Sequence, residues 1–320
     1  MAAAFTPLGI AVLADVRTAL TPHASPRVAA GQSAYLLHKF PALGVYTPAR
    51  RAATRPILRA LPARAGAATW GWPTLAAIAD ALWAGAPERE FPHTACDVLS
   101  MHRRVWLPRG DPPAPSPSTA EVLAWVHAKL VSPVAHWDVV DFLATTVVGD
   151  VLRRDERSTA AVATAAEPGS CGTESPAARC MRDWLTSEVV WVRRTAVLAQ
   201  LKSHSDTNVP LLQHTLASCA AEREFFVAKA VGWALREYRR TDRGWVDAFV
   251  AAHPMLSPLA RREALKHDPE LQPATWPGPV AAATKDATAV SRKRRRRTAS
   301  EGRRPQPRRG RSASRRPDVA

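Results

Sequence analysis

The sequence predicts an all-α protein, arranged as a helical bundle or an α-solenoid. Apolar residues recur at spacings of three and four along nearly every stretch of the first 266 residues, which is the period of an amphipathic helix. Between these stretches, no segment shows the apolar-polar alternation of a half-buried strand. Many short helices joined by short turns are typical of stacked helical architectures. Because no literal repeat of fixed period is present, the solenoid is inferred from helix density alone.

The predicted helices share this apolar spacing and have ordinary lengths. They are Leu8–Leu20, Ser33–Lys39, Pro48–Leu61, Leu75–Trp83, Glu90–Trp106, Thr119–Val131, Trp137–Arg153, Arg182–Lys202, Val209–Ala220, Arg223–Arg239, Gly244–Ala252 and Pro258–Lys266. Two starts are marked by a hydroxyl residue before proline, Thr47 before Pro48 and Ser257 before Pro258. Such a pair places a capping oxygen ahead of proline at the first helical position.

Two segments interrupt the helical pattern. Residues 107–118 are rich in proline, and residues 155–178 are rich in Ala, Ser and Thr with Gly and Pro. Both are predicted to be surface insertions or linkers within a domain at 1–267. Residues 268–320 are predicted to form a separate, disordered basic tail, because they offer little apolar surface to offset the entropy of ordering.

Composition excludes several classes of protein. The chain is 46% hydrophobic and 22% charged, which is enough apolar sequence for a sizeable core. Its four cysteines form no CxxC pair, so neither a zinc ribbon nor a disulfide framework is expected. The first twenty residues contain Asp15 and Arg17 and have no basic start, unlike a signal peptide, and no apolar run reaches membrane-spanning length. We therefore expect an intracellular protein that spans no membrane.

Most of the positive charge lies in the tail. The chain carries a formal net charge of +16, and residues 285–320 hold 14 Lys/Arg against 3 Asp/Glu, a net of +11. Such a segment binds nucleic-acid phosphates without sequence preference through counterion release. In a eukaryotic host, residues 292–297 would also suit a nuclear import signal, and a solvated extension with neither role is the remaining alternative.

A tryptophan and a carboxylate share one face of a predicted helix in HWDVVDFLATTVVGDVL, residues 136–152. Trp137 and Asp141 are four residues apart and stack on the same side. Asp138 points elsewhere and suits the positive N-terminal end of the helix. An aromatic ring beside a carboxylate suits a cationic or electron-poor ligand. A core tryptophan with a solvated aspartate is the commoner arrangement.

Two further predicted helices combine tryptophan with basic side chains. Arg193 and Arg194 follow Trp191, and their guanidinium forks match phosphate geometry, although an exposed charge pair is the plainer interpretation. Lys229, Trp233 and Arg236 follow at spacings of four and three and form a basic-aromatic stripe, which suits a sugar-phosphate backbone or an exposed base. Aromatic core with surface charge explains the stripe equally well. Since three predicted helices each combine tryptophan with charged side chains, we favour the interpretation that together they form a nucleic-acid-binding surface.

Other kinds of site find no support. The sequence contains no GxGxxG, GxxxxGK[ST] or GxSxG motif, so nucleotide-binding loops and a hydrolase elbow are not indicated. His93, Cys96 and His102 lie within one segment but lack a fourth ligand at finger spacing. We therefore expect neither a metal nor a cofactor.

Several blocks of the sequence resemble the AlkD-type DNA alkylation-repair family, glycosylases built from HEAT-like helical repeats. The blocks are QSAYLLHKFPALGVYTPARR (32–51), HWDVVD (136–141), WVRRTAVLAQL (191–201), FFVAKAVGWALREYRRTDRGWVDAFV (225–250) and LSPLARREALKH (256–267). The likeness spans about residues 10–267, and the FFxxKAxGWxLRE block is its most specific part. It implies that the helices form an α-solenoid of HEAT-like repeats.

The resemblance also implies a set of site residues. Trp137, Asp141 and Trp233 match the family's lesion-facing, catalytic positions. The residues expected to contact DNA are Tyr35, Arg194 and Arg236 from the family match, with Arg193 and Lys229 from the basic helix faces. The sequence departs from the family at His136, where a second Trp is common, and at Ala42, which replaces a Phe.

The implied activity is excision of cationic N3- or N7-alkylated purines from double-stranded DNA by a monomeric glycosylase. A base that already carries positive charge departs without a general acid, so a single carboxylate, Asp141, suffices to stabilise an oxocarbenium-like sugar and position water. The alternatives are a catalytically silent helical-repeat protein that binds damaged or branched DNA, and a protein-binding solenoid.

Overall fold

Helices provide all the regular secondary structure among residues 5–108, 116–165 and 174–266, the parts of the chain that this computed structural model describes. The α-helices are α1 (Pro7–Leu20), α2 (Pro26–Tyr35), α3 (Thr47–Arg59), α4 (Leu61–Ala65), α5 (Trp72–Ala84), α6 (Glu90–Met101), α7 (Arg103–Trp106), α8 (Thr119–Leu130), α9 (Trp137–Phe142), α10 (Gly149–Ala165), α11 (Pro176–Trp184), α12 (Val190–Leu198), α13 (Val209–Ser218), α14 (Phe225–Tyr238), α15 (Arg243–Ala252) and α16 (Pro258–Ala264). Short 3₁₀ turns lie at Thr21–His23 and His204–Asp206, and a π-helical segment occupies Leu143–Val148.

The helices pack in two rows. In the inner row α1, α3, α6, α9, α12, α14 and α16 each contact the next, and in the outer row α5, α8, α11, α13 and α15 pack behind them. A continuous apolar core lies between the rows, with Trp83, Phe91 and Trp106 fully buried. The all-α prediction is confirmed, and the stepwise stacking is consistent with a helical solenoid. The assignment of the repeats as HEAT-like stays a prediction.

Of the two predicted capping hydroxyls, one is confirmed and one is wrong. Ser257 accepts a hydrogen bond from the Ala260 backbone N–H at 3.2 Å and caps α16. Thr47, by contrast, is already the first residue of α3, and the preceding residue, Tyr46, supplies no side-chain cap. Pro48 therefore takes the second helical position, where its missing N–H is equally harmless.

Several predicted helices differ from the observed ones. The helix predicted at 90–106 is interrupted at His102, between α6 and α7. The helix predicted at 137–153 consists of α9, the π-helical segment and the start of α10.

The prediction of a helix at 33–39 is wrong beyond Tyr35, because Leu37 and His38 adopt left-handed backbone angles with φ of 57° and 58°. The single helix predicted at 182–202 is two helices, α11 and α12. The turn between them follows Trp184, whose carbonyl accepts a hydrogen bond from the Ser187 N–H at 3.3 Å.

The second predicted linker is partly helical. Helix α10 continues to Ala165, because alanine-rich sequence has high helix propensity, and the linker prediction at 155–178 is wrong over its first eleven residues. The last three residues of that linker, 176–178, are helical as well, as the start of α11. Residues 166–173 of that linker, most of the insertion at 107–118 and the predicted tail at 268–320 lie outside the described residues. No helix in the described ranges has the length and hydropathy needed to cross a bilayer.

Candidate functional site

The candidate site begins at α9, which carries Trp137, Asp138 and Asp141. His136 precedes the helix in an extended conformation, with φ of −156° and ψ of 160°. After Phe142 the helix widens into the π-helical segment, where the Thr145 hydroxyl donates to the Asp141 carbonyl at 2.8 Å. Short π-helical segments are frequent at functional sites, because the extra residue turns the preceding side chains out of the ordinary register.

Asp141 forms a two-point ion pair with Arg194 on α12. Arg194 Nε lies 2.7 Å from Asp141 Oδ1, and Nη2 lies 2.9 Å from Oδ2. The remaining Arg194 nitrogen, Nη1, donates to the Phe226 carbonyl on α14 at 2.5 Å. The arginine side chain is 4% exposed and the carboxylate 19%. One guanidinium group therefore ties together three successive helices of the inner row and holds the Asp141 carboxylate in one orientation.

The pKa of Asp141 lies above its ordinary value. Burial raises it, and the hydrogen bonds and positive charge of Arg194 oppose the rise without cancelling it. The negative charge of Asp138 adds to the rise, and the Lys229 ammonium group acts against it. The Asp141 carboxylate therefore stands in an environment where a nearby cation would be strongly favoured.

Tyr35 and Trp137 form an aromatic pair beside this carboxylate. Their ring centroids are 5.4 Å apart with the planes at 78°, an edge-to-face contact. Tyr35 is 72% exposed and Trp137 is half-buried. The pair thus offers aromatic surface to a ligand on the same helix face as Asp141.

Helix α14 supplies the opposite side of the site. Phe225, Lys229 and Trp233 follow at four-residue intervals and share one face. The Lys229 ammonium nitrogen lies 5.5 Å from the centre of the exposed Phe225 ring, and its charge acts on Asp141. Trp233 lies one turn beyond Lys229, where its indole is half-buried against the core. Contacts and charge effects thus link Tyr35 to Trp137, and Arg194 and Lys229 to Asp141, whereas Trp233 is placed only by its position on α14.

Arg193 and Arg236, both expected to contact DNA, donate to protein groups. Arg193 Nη1 lies 2.6 Å from the Ser187 carbonyl, and its Nη2 lies 3.3 Å from a Glu222 carboxylate oxygen. Arg236 Nη1 donates to the carbonyl and carboxylate of Glu263 at 2.6 and 2.9 Å. These bonds hold α12 and α14 to their neighbours, so any contact with DNA would compete with them.

Asp138 faces away from Asp141 and is bound from the other side. Arg89 donates from Nε to Oδ2 at 2.7 Å and also to the Val134 carbonyl at 2.6 Å. His93 Nε2 lies 3.0 Å from the same carboxylate. Burial alone would raise the pKa of Asp138, but the hydrogen bonds from Arg89 and His93 outweigh it and hold that pKa well below its usual range. Arg89 was not predicted, because it is 49 residues from its partner.

Glu90 holds the segment that leads from Tyr35 to α3, a role that was not predicted from the sequence. Its buried carboxylate accepts hydrogen bonds from the backbone N–H groups of Leu43, Gly44 and Val45 at 2.9, 2.9 and 3.0 Å. Gly44 has φ of +82°, and a β-carbon there would lie 2.1 Å from the Ser25 carbonyl oxygen. An acidic residue in the first turn of a helix is usually explained by the helix dipole, so sequence alone offered no signal of this role.

His136 fills the space between the elements of the site. Its ring centroid lies 5.2 to 6.3 Å from those of four aromatic residues, Phe40, Trp137, Trp191 and Phe226. The residue is 1% exposed, and burial lowers the pKa of its imidazole to about 4, although the Asp138 charge opposes that shift. The ring is therefore neutral at pH 7 and acts as a packing element.

The residues considered as metal ligands have other partners. His93 pairs with Asp138, His102 Nε2 lies 2.8 Å from the Leu58 carbonyl, and Cys96 is buried with a pKa raised by that burial. Across the described ranges, no three acidic, histidine or cysteine side chains are grouped as a metal site requires.

Comparison with known proteins shows the family of this chain. The chain matches the family model of the DNA alkylation repair enzymes over residues 16–267, a range that contains every predicted site residue. It is similar to a solved structure described as a predicted DNA alkylation repair enzyme from Enterococcus faecalis, with 26% identity and a TM-score of 0.59 over 78% of this chain and 98% of that one. No curated protein matches. Since the family model covers most of its length, this chain belongs to the DNA alkylation repair enzyme family.

Proposed function

We propose that this protein is a DNA glycosylase that excises cationic N3- and N7-alkylated purines from double-stranded DNA. Membership in a DNA alkylation repair family makes DNA its partner. The observation that carries the finer proposal is the Asp141 carboxylate, fixed by Arg194 at two points and flanked by the Tyr35–Trp137 pair. A carboxylate between aromatic faces stabilises positive charge, and positive charge is what develops on the sugar during loss of a base.

The proposed reaction needs one carboxylate and no acid. The bond between the sugar C1′ and the alkylated base breaks, and its electron pair neutralises the positive charge of the departing base. The sugar is left as an oxocarbenium-like cation, which faces Asp141. A water oxygen then bonds to C1′ and loses its proton to the carboxylate or to solvent. The role of Asp141 is to stabilise the sugar cation and orient that water, as a carboxylate does in glycoside hydrolysis.

The surrounding residues take distinct roles in this proposal. Tyr35 and Trp137 pack against the sugar and the lesion, and Trp233 lines the edge of the site. Arg194 is a positioning residue, because all of its donor nitrogens are turned toward Asp141 and the Phe226 carbonyl. Lys229, whose ammonium group is exposed, is the cation available to a phosphate.

The proposed substrate range follows from the charge states of Asp138 and His136, the two titratable groups next to the Trp137–Asp141 face. Asp138 is held ionised by Arg89 and His93, and His136 is neutral within its aromatic surroundings. Neither can protonate a neutral leaving base at pH 7. Lesions with a formal positive charge should therefore be excised, and neutral lesions should be left in place.

The test is single-turnover release of each base from otherwise identical duplexes. We expect release of 7-methylguanine and 3-methyladenine, and none of hypoxanthine, uracil or 8-oxoguanine above the rate without protein. Release of a neutral base would contradict the charge argument and require an acid elsewhere in the site. Failure to release either cationic base would contradict the glycosylase proposal itself.

A non-catalytic DNA-binding protein is the second candidate, and one observation favours it. Arg194 already offsets the charge of Asp141, so the field that the carboxylate presents to a sugar cation is weaker than that of an unpaired one. A titration with duplexes that carry a stable abasic analogue separates the candidates. Tight, damage-dependent binding without release of any cationic base would establish the second.

A further inference from the structure

Gly149, the first residue of α10, lies against the backbone of α12. The residue is buried, and a β-carbon built on it would lie 2.6 Å from the Ala199 carbonyl oxygen at the end of α12. An ordinary contact between such atoms begins at about 3.4 Å. Since a backbone carbonyl moves only with its helix, any larger residue at 149 would push α10 and α12 apart by several tenths of an ångström.

Side-chain bonds join the same two stretches of chain on either side of Gly149. Before it, the Thr146 hydroxyl in the π-helical segment lies 3.1 Å from the Lys202 ammonium nitrogen, which follows α12. After it, Arg153 Nη1 lies 3.4 Å from the Ser203 hydroxyl. The close approach at Gly149 is therefore held one turn before and one turn after the glycine.

The Asp141–Arg194 ion pair spans the same two helical stretches. Asp141 precedes Gly149 on the continuous stretch formed by α9, the π-helical segment and α10, and Arg194 precedes Ala199 on α12. The two hydrogen bonds of the pair are 2.7 and 2.9 Å long. Since N–H···O hydrogen bonds lie at about 2.7–3.2 Å, a separation by several tenths of an ångström would lengthen at least one of them beyond that range.

We propose that Gly149 is a positioning residue, which sets the separation of the two helices at which Arg194 holds both oxygens of Asp141. The inference rests on the proposed function where it concerns base release, while the ion pair itself belongs to the free protein. Gly149 has no side chain to offer a ligand, so it acts through Arg194 and Asp141. A larger residue at 149 would leave the Asp141 carboxylate with one donor or none, free to turn away from the orientation that the reaction needs.

Titration of the Asp141 carboxyl group in the free protein tests this role without any assay of base release. Carbon-13 nuclear magnetic resonance follows the side-chain carboxyl groups, and the Asp141 resonance is the one missing from Asp141→Asn. Gly149→Ala should move its titration midpoint to higher pH, because the Arg194 hydrogen bonds and charge that oppose the effect of burial on the pKa of Asp141 are weakened. A midpoint unchanged from wild type would overturn the proposal.

Gly85 provides a control with a similar steric clash elsewhere in the fold. A β-carbon there would lie 2.4 Å from the Ala81 carbonyl oxygen and 2.6 Å from Leu13 Cδ2, where α5 packs on α1. Gly85→Ala should therefore lose stability, as Gly149→Ala does, but keep the wild-type titration of Asp141. An equal shift of the midpoint in Gly85→Ala would make it an effect of general loosening and refute the specific role of Gly149.

Thr146→Val tests the same separation without added bulk, and it decides the question if Gly149→Ala does not fold. The substitution removes the bond to Lys202 and keeps the shape of the side chain. The Asp141 midpoint should move in the same direction by a smaller amount, because one of the bonds that hold the helices together is lost. In that case a wild-type midpoint in Thr146→Val would contradict the proposal.

Base release provides a second readout, through a double-mutant cycle. Gly149→Ala should slow single-turnover release of 7-methylguanine by about ten-fold, as expected for Arg194→Lys. If the glycine acts through the ion pair, the double variant should be no slower than Arg194→Lys alone. Losses that multiply to about a hundred-fold would show independent effects and overturn the proposal. A shifted titration without base release by wild-type protein would contradict the glycosylase and leave the positioning of Arg194 by Gly149 standing.

Discussion

The two carboxylates of α9 are bound in almost the same way and stand in opposite electrostatic states. Asp138 and Asp141 each receive a guanidinium group at two points, and each of those arginine side chains is 4% exposed. Both arginines also donate to a backbone carbonyl, Val134 for Arg89 and Phe226 for Arg194. Yet the pKa of Asp138 is lowered and that of Asp141 is raised.

The difference lies in what covers the remaining side of each carboxylate. Asp138 has a third partner, His93, and is 9% exposed, so its charge is fully compensated by the protein. Among the described residues, Asp141 receives side-chain hydrogen bonds from Arg194 alone, and it stays 19% exposed. A carboxylate that burial has destabilised and that keeps an open side gains most from an incoming cation. Asp138 and Asp141 are thus both paired with a buried arginine, but Asp138 is a structural anchor and Asp141 is a candidate reactive group.

The largest expected effect is on the free energy of unfolding and concerns Asp138, the structural anchor. Asp138→Asn keeps the side-chain shape but leaves the buried Arg89 charge uncompensated, so the free energy of unfolding should fall by about 3–5 kcal/mol. Urea denaturation followed by circular dichroism measures this change. A loss no greater than that caused by Asp141→Asn would break the comparison between the two pairs.

The next largest expected effect is on the rate of base release and concerns Asp141, the carboxylate with an open side. Asp141→Asn should reduce single-turnover release of 7-methylguanine by about 10²–10³-fold, because the charge facing the sugar cation is removed. Its unfolding free energy should change less than in Asp138→Asn, since burial already disfavours the ionised form of Asp141. Asp247→Asn on α15 is the matched control, because Asp247 is also paired with an arginine, Arg239, at 2.9 Å. Base release by Asp141→Asn at the control's rate would refute the assignment.

A smaller loss of base-release rate is expected when Arg194 is replaced, and it tests whether Arg194 positions Asp141. Arg194→Lys keeps the positive charge but cannot hold Asp141 at two points, so base release should slow by about ten-fold. DNA affinity should stay within error, because the arginine donates to protein groups and not toward solvent. Fluorescence anisotropy with an abasic-analogue duplex measures the affinity. A parallel loss of affinity and rate would instead make Arg194 a direct DNA contact.

The smallest effect is a shift in pH dependence. Asp141 must be ionised to act, and its pKa is raised, so the release rate should fall with decreasing pH above the ordinary aspartate pKa of about 3.9. The stabilisation from Asp138 is lost in the same direction, as pH falls, but in a lower pH range. Its pKa is lowered, so that contribution is lost only as pH falls below about 3.9. An acid limb of the rate profile at or below about pH 3.9 would contradict the raised pKa of Asp141.

The pH experiment needs one control for folding. His136 has its pKa lowered to about 4, so the unfolded chain binds a proton before the native one does, and stability declines as pH falls below about 6.5. Circular dichroism at each pH defines the range in which the protein is native. Rates are compared within that range and corrected for spontaneous base loss measured without protein.

Much of the fold was predictable from residue spacing, because helix formation depends on neighbours three and four positions away. The apolar period placed most helices, and the four-residue spacing of Trp137 and Asp141 placed both on one face of α9. The same reasoning failed at residues 36–39, where apolar spacing continues but the backbone turns left-handed. Contacts of Tyr35 with Trp137 on α9 and of Phe40 with His136 hold that turn, and no local sequence pattern indicates them.

The sequence by itself determined the helical class, the tryptophan and carboxylate faces and the family resemblance, since each of these is written in local spacing or in motif residues. Only the tertiary structure decided which carboxylate is the anchor and which is open. Their partners, Arg89 and Arg194, lie 49 and 53 residues away along the chain. The charge state of a buried group depends on every element packed around it, and the packing of distant helices is a property of the folded chain alone.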